Sequence, residues 1–206
     1  SIDSPQNGLL TNRPDLDITG FTDGVSVTAG NTTAAIQGER FSATLRLAEG
    51  PNRIEVVSYD GVGNRNLTLL TVTLDTMAPY LQLLTPGAGA MTNGASLTVA
   101  GVTEPGATVT VNGVTAINAN GVISHPVRLV AGPNIITVKA VDAAGNTAVL
   151  NRTVTLDQVP PLLSITSPSS GSRIPGPKVM VRGLSDPGSA VTVNGVCISG
   201  MGAVVS

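Results

Sequence analysis

Hydrophobic and polar residues alternate with a period of two along much of the chain. In the segment NIITVKAVD, Ile136, Val138 and Ala140 fall on one face, whereas Thr137 and Lys139 fall on the other. Charged side chains occupy the second set, as expected for strands that bury one face. Helical periodicity does not extend beyond a turn or two. The pattern therefore predicts an all-β protein built from short strands.

The same pattern recurs along the chain with a period of about 82 residues, which indicates tandem structural units. PGATVTVNG (105–113) returns as PGSAVTVNG (187–195), and TVTLD stands at 71–75 and again at 153–157. We predict three units, and the proposed bounds are 1–79 for repeat 1, 80–160 for repeat 2 and 161–206 for a partial repeat 3.

Each full repeat contains about seven candidate strands separated by turn residues, the pattern of an antiparallel immunoglobulin-like (Ig-like) β-sandwich. In repeat 2 they are expected near residues 80–85, 95–101, 107–112, 114–117, 122–129, 134–142 and 147–156. The Cys…Trp…Cys core of antibody domains is absent, so we expect an aliphatic core. Phe41 and its counterpart Ile123 are the predicted core anchors.

Three segments, PGATVTVNG, AGPNIITVKAVDAAGN and TVTLDQVPP, resemble the bacterial Ig-like repeats related to the glucodextranase domain-B family. The resemblance covers the whole chain. It implies modules that occur in tandem in secreted and surface-anchored bacterial proteins, including adhesins and accessory regions of polysaccharide-degrading enzymes. Repeat 1 departs from the pattern at DGVSVTAG (23–30), which lacks the Asn-Gly turn. Because such modules serve many contexts, the resemblance implies a fold more than a function.

The charge distribution disfavours two classes of partner. Charged residues make up 12% of the chain, the net charge is −2, and no cluster of four Lys or Arg residues occurs. A nucleic-acid partner, which needs a basic patch, is therefore not expected. No run of 18 apolar residues is present, so we predict no membrane insertion of this segment. The first residue is Ser1, and we expect an internal piece of a larger protein.

No catalytic constellation is recognisable in the sequence. His125 is the one histidine, and no nucleophile motif accompanies it. We expect a histidine at a strand edge or in a loop. The glycines open or close hairpins and form no phosphate loop. The chain is therefore predicted not to be an enzyme and to require no cofactor.

Calcium is the one metal that the sequence brings into consideration. The carboxylate and amide groups that lie in loops or just before connectors are Asp60, Asn64, Asp142, Asn146, Asp75 and Asp157. Carboxylate and amide oxygens in loops are among the ligands that calcium prefers in proteins. However, each turn carries a single carboxylate. The alternative is that each Asp caps its own turn through the backbone.

Glycan binding is a further hypothesis that the sequence raises. Sugar sites commonly use exposed aromatic rings, and the exposed candidates here are Phe21, Tyr59 and Tyr80.

Cys197 is the one cysteine, so an internal disulfide cannot form. We expect Cys197 to be a small core residue, and an intermolecular disulfide is the alternative.

Repeat 3 shapes the functional hypotheses. Its VVS (204–206) matches VIS (122–124), which places the last residue in the fifth strand of a sandwich. We expect that the polypeptide continues, and the alternative is completion by a strand from another chain.

The main hypothesis is a non-catalytic extracellular or cell-surface spacer, in a stalk, fibre or adhesin, whose partners are neighbouring repeats or subunits. The rivals are an accessory module of a secreted carbohydrate-active enzyme and a filament subunit completed by its neighbour.

Overall fold

The computed structural model describes residues 1–198, and all regular secondary structure in this range is β-strand. The chain divides into two compact units, one spanning Ser1–Leu156 and a second that begins at Asp157. The first unit contains two β-sandwiches with separate apolar cores. Among the described residues, none forms a helix long and apolar enough to cross a membrane. The all-β prediction is confirmed, whereas the bounds at 79 and 160 stay a prediction.

Repeat 1 folds into two sheets around one core. Its strands are β1 (Ile2–Ser4), β2 (Leu9–Thr11), β3 (Asp15–Phe21), β4 (Ser26–Ala29), β5 (Thr32–Thr33), β6 (Ala35–Gln37), β7 (Arg40–Arg46), β8 (Gly50–Tyr59) and β9 (Arg65–Leu74). One sheet has the order β1-β3-β7-β6 and the other β2-β9-β8-β4-β5. Neighbouring strands are antiparallel except β2 and β9, which pair in parallel.

Repeat 2 has the same topology as repeat 1, and each of its strands carries a number nine higher than its counterpart. Its strands are β10 (Leu81–Thr85), β11 (Ala90–Thr92), β12 (Ser96–Thr103), β13 (Thr108–Val111), β14 (Val114–Thr115), β15 (Ile117–Ala119), β16 (Val122–Arg128), β17 (Gly132–Val141) and β18 (Thr147–Leu156). The two sheets have the orders β10-β12-β16-β15 and β11-β18-β17-β13-β14. The equivalent order of the sheets confirms that the sequence repeat is a structural repeat.

The number of strands in each repeat is higher than the seven predicted. The expected strand at 114–117 divides into β14 and β15, because β14 pairs with β13 in one sheet and β15 pairs with β16 in the other. The strand β11 was not predicted. It has three residues and pairs in parallel with β18, and three residues are too few for a hydrophobic period to show.

Apart from Phe41 in repeat 1, the buried residues of the two cores are aliphatic, as predicted. The fully buried side chains with the largest volumes are Ile18, Ile123, Ile136, Val27, Val72, Val99, Val109, Val111, Val138 and Val154. Phe41 and Ile123, the predicted anchors, are both buried. Strand β17 buries Ile136, Val138 and Ala140 and exposes Lys139. The period-two assignment of faces is therefore confirmed for this strand.

A glycine recurs in the strand that pairs with the first strand of each repeat, at Gly20, Gly101 and Gly183. A Cβ at Gly101 would overlap the Gln82 carbonyl oxygen and would lie 3.3 Å from Leu83 Cα. The pairing register of β10 and β12 shifts next to this contact, between Leu83 and Thr85. The glycine thus permits a close backbone approach rather than a turn.

The repeated VNG tripeptide forms a two-residue hairpin turn. Asn112 and Gly113 both have positive φ, 48° and 81°, and they connect β13 to β14. Two positive φ values are the requirement of a type I′ turn, which Asn-Gly satisfies at low cost. Repeat 1 lacks Asn-Gly but still forms a hairpin, with Gly30 at φ 54° between β4 and β5.

The described part of repeat 3 has four strands, β19 (Leu163–Ser167), β20 (Arg182–Ser185), β21 (Val191–Val193) and β22 (Val196–Ile198). They form two antiparallel pairs, β19 with β20 and β21 with β22. Several of its apolar side chains are exposed, among them Leu163, Ile165 and Leu184. The predicted VVS strand at 204–206 lies outside the described residues.

The expectation that Cys197 is a core residue is wrong, since its side chain is exposed. Cys197 pairs with Thr192 across the β21–β22 hairpin. Residues directly opposite each other on two strands share a face, so Cys197 lies on the polar face with Thr192. The half-buried Val191 and Val193 lie on the other face.

Candidate functional site

The residues predicted as loop ligands in repeat 2 form a tight hydrogen-bonded turn between β17 and β18. Asp142 Oδ1 accepts hydrogen bonds from the backbone N–H groups of Gly145 (2.7 Å) and Asn146 (2.8 Å). Asp142 Oδ2 accepts a bond from Asn146 Nδ2 at 2.9 Å. Asp142 therefore caps its own turn and also fixes the orientation of the Asn146 side chain.

Asn146 uses its oriented amide to bind the chain that leaves repeat 1. Its Nδ2 also donates to the backbone carbonyl of Asp75, at 2.8 Å. The backbone N–H of Asp75 in turn donates to the Thr11 carbonyl in repeat 1, at 2.9 Å. The residue Asp75 therefore carries a hydrogen bond to each repeat, and both Asp142 and Asn146 are half-buried.

The connector between β9 and β10 is anchored at both of its ends. Thr76 donates two bonds to Glu49 of repeat 1, from its backbone N–H (3.0 Å) and its hydroxyl (2.9 Å). At the other end, the hydroxyl of Thr103 in repeat 2 donates to the Tyr80 carbonyl at 2.5 Å. Thr103 is the one polar residue among the buried side chains of the described range. These contacts, with Asn146, form the candidate functional site, which we call the junction.

Repeat 1 contains the same turn without the junction contact. Asp60 Oδ1 accepts bonds from the backbone N–H groups of Val62 (3.0 Å) and Asn64 (2.8 Å), and Asp60 Oδ2 accepts one from Asn64 Nδ2 (2.8 Å). Both Asp60 and Asn64 are exposed. The predicted capping by Asp is thus present in both repeats.

The hydrogen bonds to these two carboxylates favour the ionised form. The Asn64 side chain lowers the pKa of Asp60 below its ordinary value of 3.8, and the backbone N–H of Asn64 lowers it further. For Asp142, partial burial opposes ionisation. The bonds from the side chain and backbone of Asn146 outweigh that effect, so the pKa of Asp142 is also lowered.

We expect the turn of repeat 2 to open in acid. Because the pKa of Asp142 is lower in the folded than in the unfolded chain, its contribution to stability is complete above pH 3.8 and is lost as the pH falls through the lowered value. An NMR titration of the Asp142 carboxyl carbon should give a midpoint below 3.8, with the Asn146 amide signals moving at the same pH. A midpoint at or above 3.8 would contradict the capping role.

Calcium binding at the predicted residues stays a prediction. Asp157 uses Oδ1 to accept a bond from Val159 N–H at 2.9 Å, as Asp75 does with Met77 at 3.1 Å. Within residues 1–198, no group of three or more His, Cys, Asp or Glu side chains lies close enough to hold a metal. The turn carboxylates are instead occupied by N–H groups of their own turns or connectors.

The aromatic side chains proposed for glycan binding have three different environments. Arg40 covers the ring of Phe21, with its guanidinium carbon 4.5 Å from the centroid. Tyr80 stands in the connector and donates its hydroxyl to Gln82 Oε1 at 2.5 Å. Tyr59 is exposed and pairs with Arg65 across β8 and β9. A glycan partner stays a prediction.

His125 lies in β16, where it is half-buried and pairs with Val99 of β12. On the other side of β16 the pairing with β15 ends at Ser124. His125 therefore lies inside a strand rather than in a loop, on the side of β16 that β15 leaves unpaired.

Sequence reasoning singled out Asp75 and Asn146 but missed their role, which depends on a side chain that contacts a backbone carbonyl 71 residues away. It also missed Glu49 and Thr103. A signal was available for Thr103, since Thr22 stands at the same place after Gly20 as Thr103 does after Gly101. Glu49 gave no such signal, because Ala131 occupies its position in repeat 2.

Two sandwiches of one topology, joined by an anchored connector, define a tandem Ig-like module. The chain belongs to the glucodextranase domain B family, whose model matches residues 1–76 and 79–158. This confirms the resemblance identified from the repeated segments.

One relative and two solved structures illustrate the similarity. Bacillopeptidase F of Bacillus subtilis (strain 168) is 31% identical over 174 residues, which cover 79% of this chain and 12% of that protein. The fibronectin(III)-like modules of Clostridium thermocellum CbhA match 76% of this chain and 93% of theirs, with 17% identity and a TM-score of 0.48. A tetra-tandem repeat in the extending region of a large adhesion protein matches 89% of this chain and 54% of its own, with 19% identity and a TM-score of 0.34.

Proposed function

We propose that the chain is a non-catalytic spacer, a segment of a stalk, fibre or adhesin in an extracellular or cell-surface protein of a bacterium. Membership of a family of tandem Ig-like modules supports this role. The partners would be neighbouring repeats or subunits of the same assembly. The mechanism is mechanical, since a spacer must hold its distal end away from its anchor.

The single observation that carries the proposal is the anchored connector. A short linker between two domains ordinarily permits relative motion unless contacts restrain it. Here Asn146 and Glu49 hold the start of the connector, at Asp75 and Thr76. Thr103 holds its end, at Tyr80. Pro79 further restricts the backbone, because its ring fixes φ and limits the residue before it.

We expect Asn146→Ala to loosen the junction without unfolding either repeat. The substitution removes one hydrogen bond between the repeats, which corresponds to about 1 kcal/mol and so to about a fivefold change in the population of loosened orientations. Residual dipolar couplings measured by NMR should fit one common alignment for repeats 1 and 2 in the parent chain. In the variant the fitted alignment should be weaker for one repeat.

The matched control is Asn151→Ala, which removes an exposed asparagine from β18 of the same repeat. Its couplings should equal those of the parent chain. A common, unweakened alignment in Asn146→Ala would show that the Asn146 contact does not stiffen the array.

The second candidate is an accessory module of a secreted carbohydrate-active enzyme. The name of the family, glucodextranase domain B, favours it. A catalytic domain encoded beside this segment would decide for this function, and a succession of further repeats would decide for the spacer.

The third candidate is a filament subunit whose repeat 3 is completed by a neighbouring chain. The exposed apolar side chains of β19 and β20 favour it, since Leu163, Ile165 and Leu184 each remain more than 60% exposed in the described residues. Size-exclusion chromatography with light scattering tests it. Monomers at high concentration would count against strand exchange.

A further inference from the structure

The turns at 60–64 and 142–146 have the same internal hydrogen bonds but differ in their contacts outside the turn. In each, the Asp carboxylate receives the backbone N–H and the Nδ2 of the Asn four residues later. In repeat 2, the same Nδ2 donates a further bond to the Asp75 carbonyl. Within residues 1–198, Asn64 Nδ2 has Asp60 as its one acceptor.

The surroundings of the two turns differ in the same direction. A Cβ built at Gly145 would lie 3.5 Å from Asn12 Nδ2 of repeat 1, whereas one built at Gly63 would meet nothing within 4 Å. Val62, at the tip of the first turn, is 85% exposed, and the nearby Val25 is 68% exposed. The equivalent of Val62 in repeat 2, Ala144, is half-buried. The first turn therefore presents an uncovered apolar and polar surface.

The second anchor of the junction is also present in repeat 1. Thr103, which binds the Tyr80 carbonyl, stands two residues after Gly101. Thr22 stands two residues after Gly20, and its backbone N–H donates to the Glu39 carbonyl as that of Thr103 donates to the Gly121 carbonyl. Repeat 1 thus has both side chains with which repeat 2 holds a connector.

We propose that the face of repeat 1 formed by Asn64, Thr22 and Val62 is a docking surface for the connector of another repeat of the same family. The occupant presents two backbone carbonyls: that of the residue directly after its last strand binds Asn64, and that of a residue five positions later binds Thr22. These are the roles that Asp75 and Tyr80 have at the observed junction. Asn64 therefore acts as a specific recognition group rather than only as a turn residue.

The register of the strands sets the spacing for a direct test. Ile2 pairs with Gly20 as Leu83 pairs with Gly101. A lengthened chain with an additional copy of residues 1–81 placed before Ser1 therefore reproduces the natural spacing at a new junction. The readout is the exchange with water of the side-chain amide protons of Asn64, measured by NMR in the full chain and in the lengthened chain. Asn146 reports the existing junction in both.

In the full chain, the Asn64 side-chain protons should exchange faster than those of Asn146. In the lengthened chain, the exchange at Asn64 of the original repeat 1 should slow by about fivefold, as expected for one added hydrogen bond of about 1 kcal/mol. Its rate should then approach that of Asn146. The exposed Asn66 of β9 should be unchanged in both chains.

The proposal would be overturned if exchange at Asn64 of the original repeat 1 were unchanged in the lengthened chain while Asn146 kept the rate that it has in the full chain. In a second variant, Asn64 of the original repeat 1 is replaced by Ala in the lengthened chain. The added copy should then tumble more independently of the original repeat 1, while the original junction between repeats 1 and 2 stays intact. Equal coupling of the added copy with and without Asn64 would also overturn it. The spacer function is tested separately at Asn146, so the two proposals can fail independently.

Discussion

Replacing Ile136 by Ala should destabilise repeat 2 by about 3 kcal/mol, within the usual range for removing large aliphatic side chains from a core. Ile136 is fully buried in the centre of β17. It belongs to a core without tryptophan and with little aromatic area, since the chain contains four aromatic residues in all. A core of Val, Ile, Leu and Ala has no large ring that could move into the space left behind.

Amide hydrogen exchange is the suitable measurement, because two sandwiches in one chain need not unfold in a single transition. Protection of core amides in β13 and β17 should fall by about 100-fold, the equivalent of about 3 kcal/mol. Core amides of β3 and β8 in repeat 1 should keep their protection, since the two cores are separate clusters. A loss of similar size in both repeats would mean that they unfold as one body.

The chain supplies a matched control in the adjacent residue. Ile135 has the same side chain and lies in the same strand but is 68% exposed. Ile135→Ala should change protection by less than about twofold, as usual for surface substitutions of about 0.5 kcal/mol or less. Equal effects at both positions would contradict the assignment of faces in β17.

The faces of the long strands could be predicted because burial of one face imposes a period of two on the sequence. Ile136, Val138 and Ala140 were assigned to the core on this basis, and all three are buried. Short segments carry no such period. β11 and β2 have three residues each and pair in parallel with the last strand of their repeat, so their place depends on the fold of the whole repeat.

The junction could be predicted only in part for a different reason. Asn146 was identified as a functional candidate by its place in the repeated Asp…Gly-Asn turn. Its partner is the carbonyl of Asp75, and a backbone carbonyl has the same chemistry at every residue. The sequence pattern therefore marks the donor but not the acceptor. Cys197 was misplaced because its face is set by pairing with Thr192 across a hairpin, not by its own apolar character.

Replacing Gly101 by Ala should destabilise repeat 2 by about 2–3 kcal/mol, the upper part of the range for overpacking. The added methyl group would overlap the Gln82 carbonyl oxygen and press on the backbone of Leu83. A backbone group cannot rotate away as a side chain does, so β10 would have to separate from β12. The pairs between Leu81–Leu83 and Gly101–Thr103 should then lose hydrogen-exchange protection first.

Gly87→Ala is the control for Gly101→Ala, because Gly87 has no neighbour within 4 Å of its Cβ position and no positive φ. It should leave protection unchanged or raise it slightly, since alanine restricts the unfolded chain. The same steric reason applies to Gly183 in repeat 3, where the obstacle is the Ser164 carbonyl oxygen. If Gly101→Ala were as stable as Gly87→Ala, close approach would not explain why glycine recurs there. The recurrence would then need a cause outside the contact between these two strands.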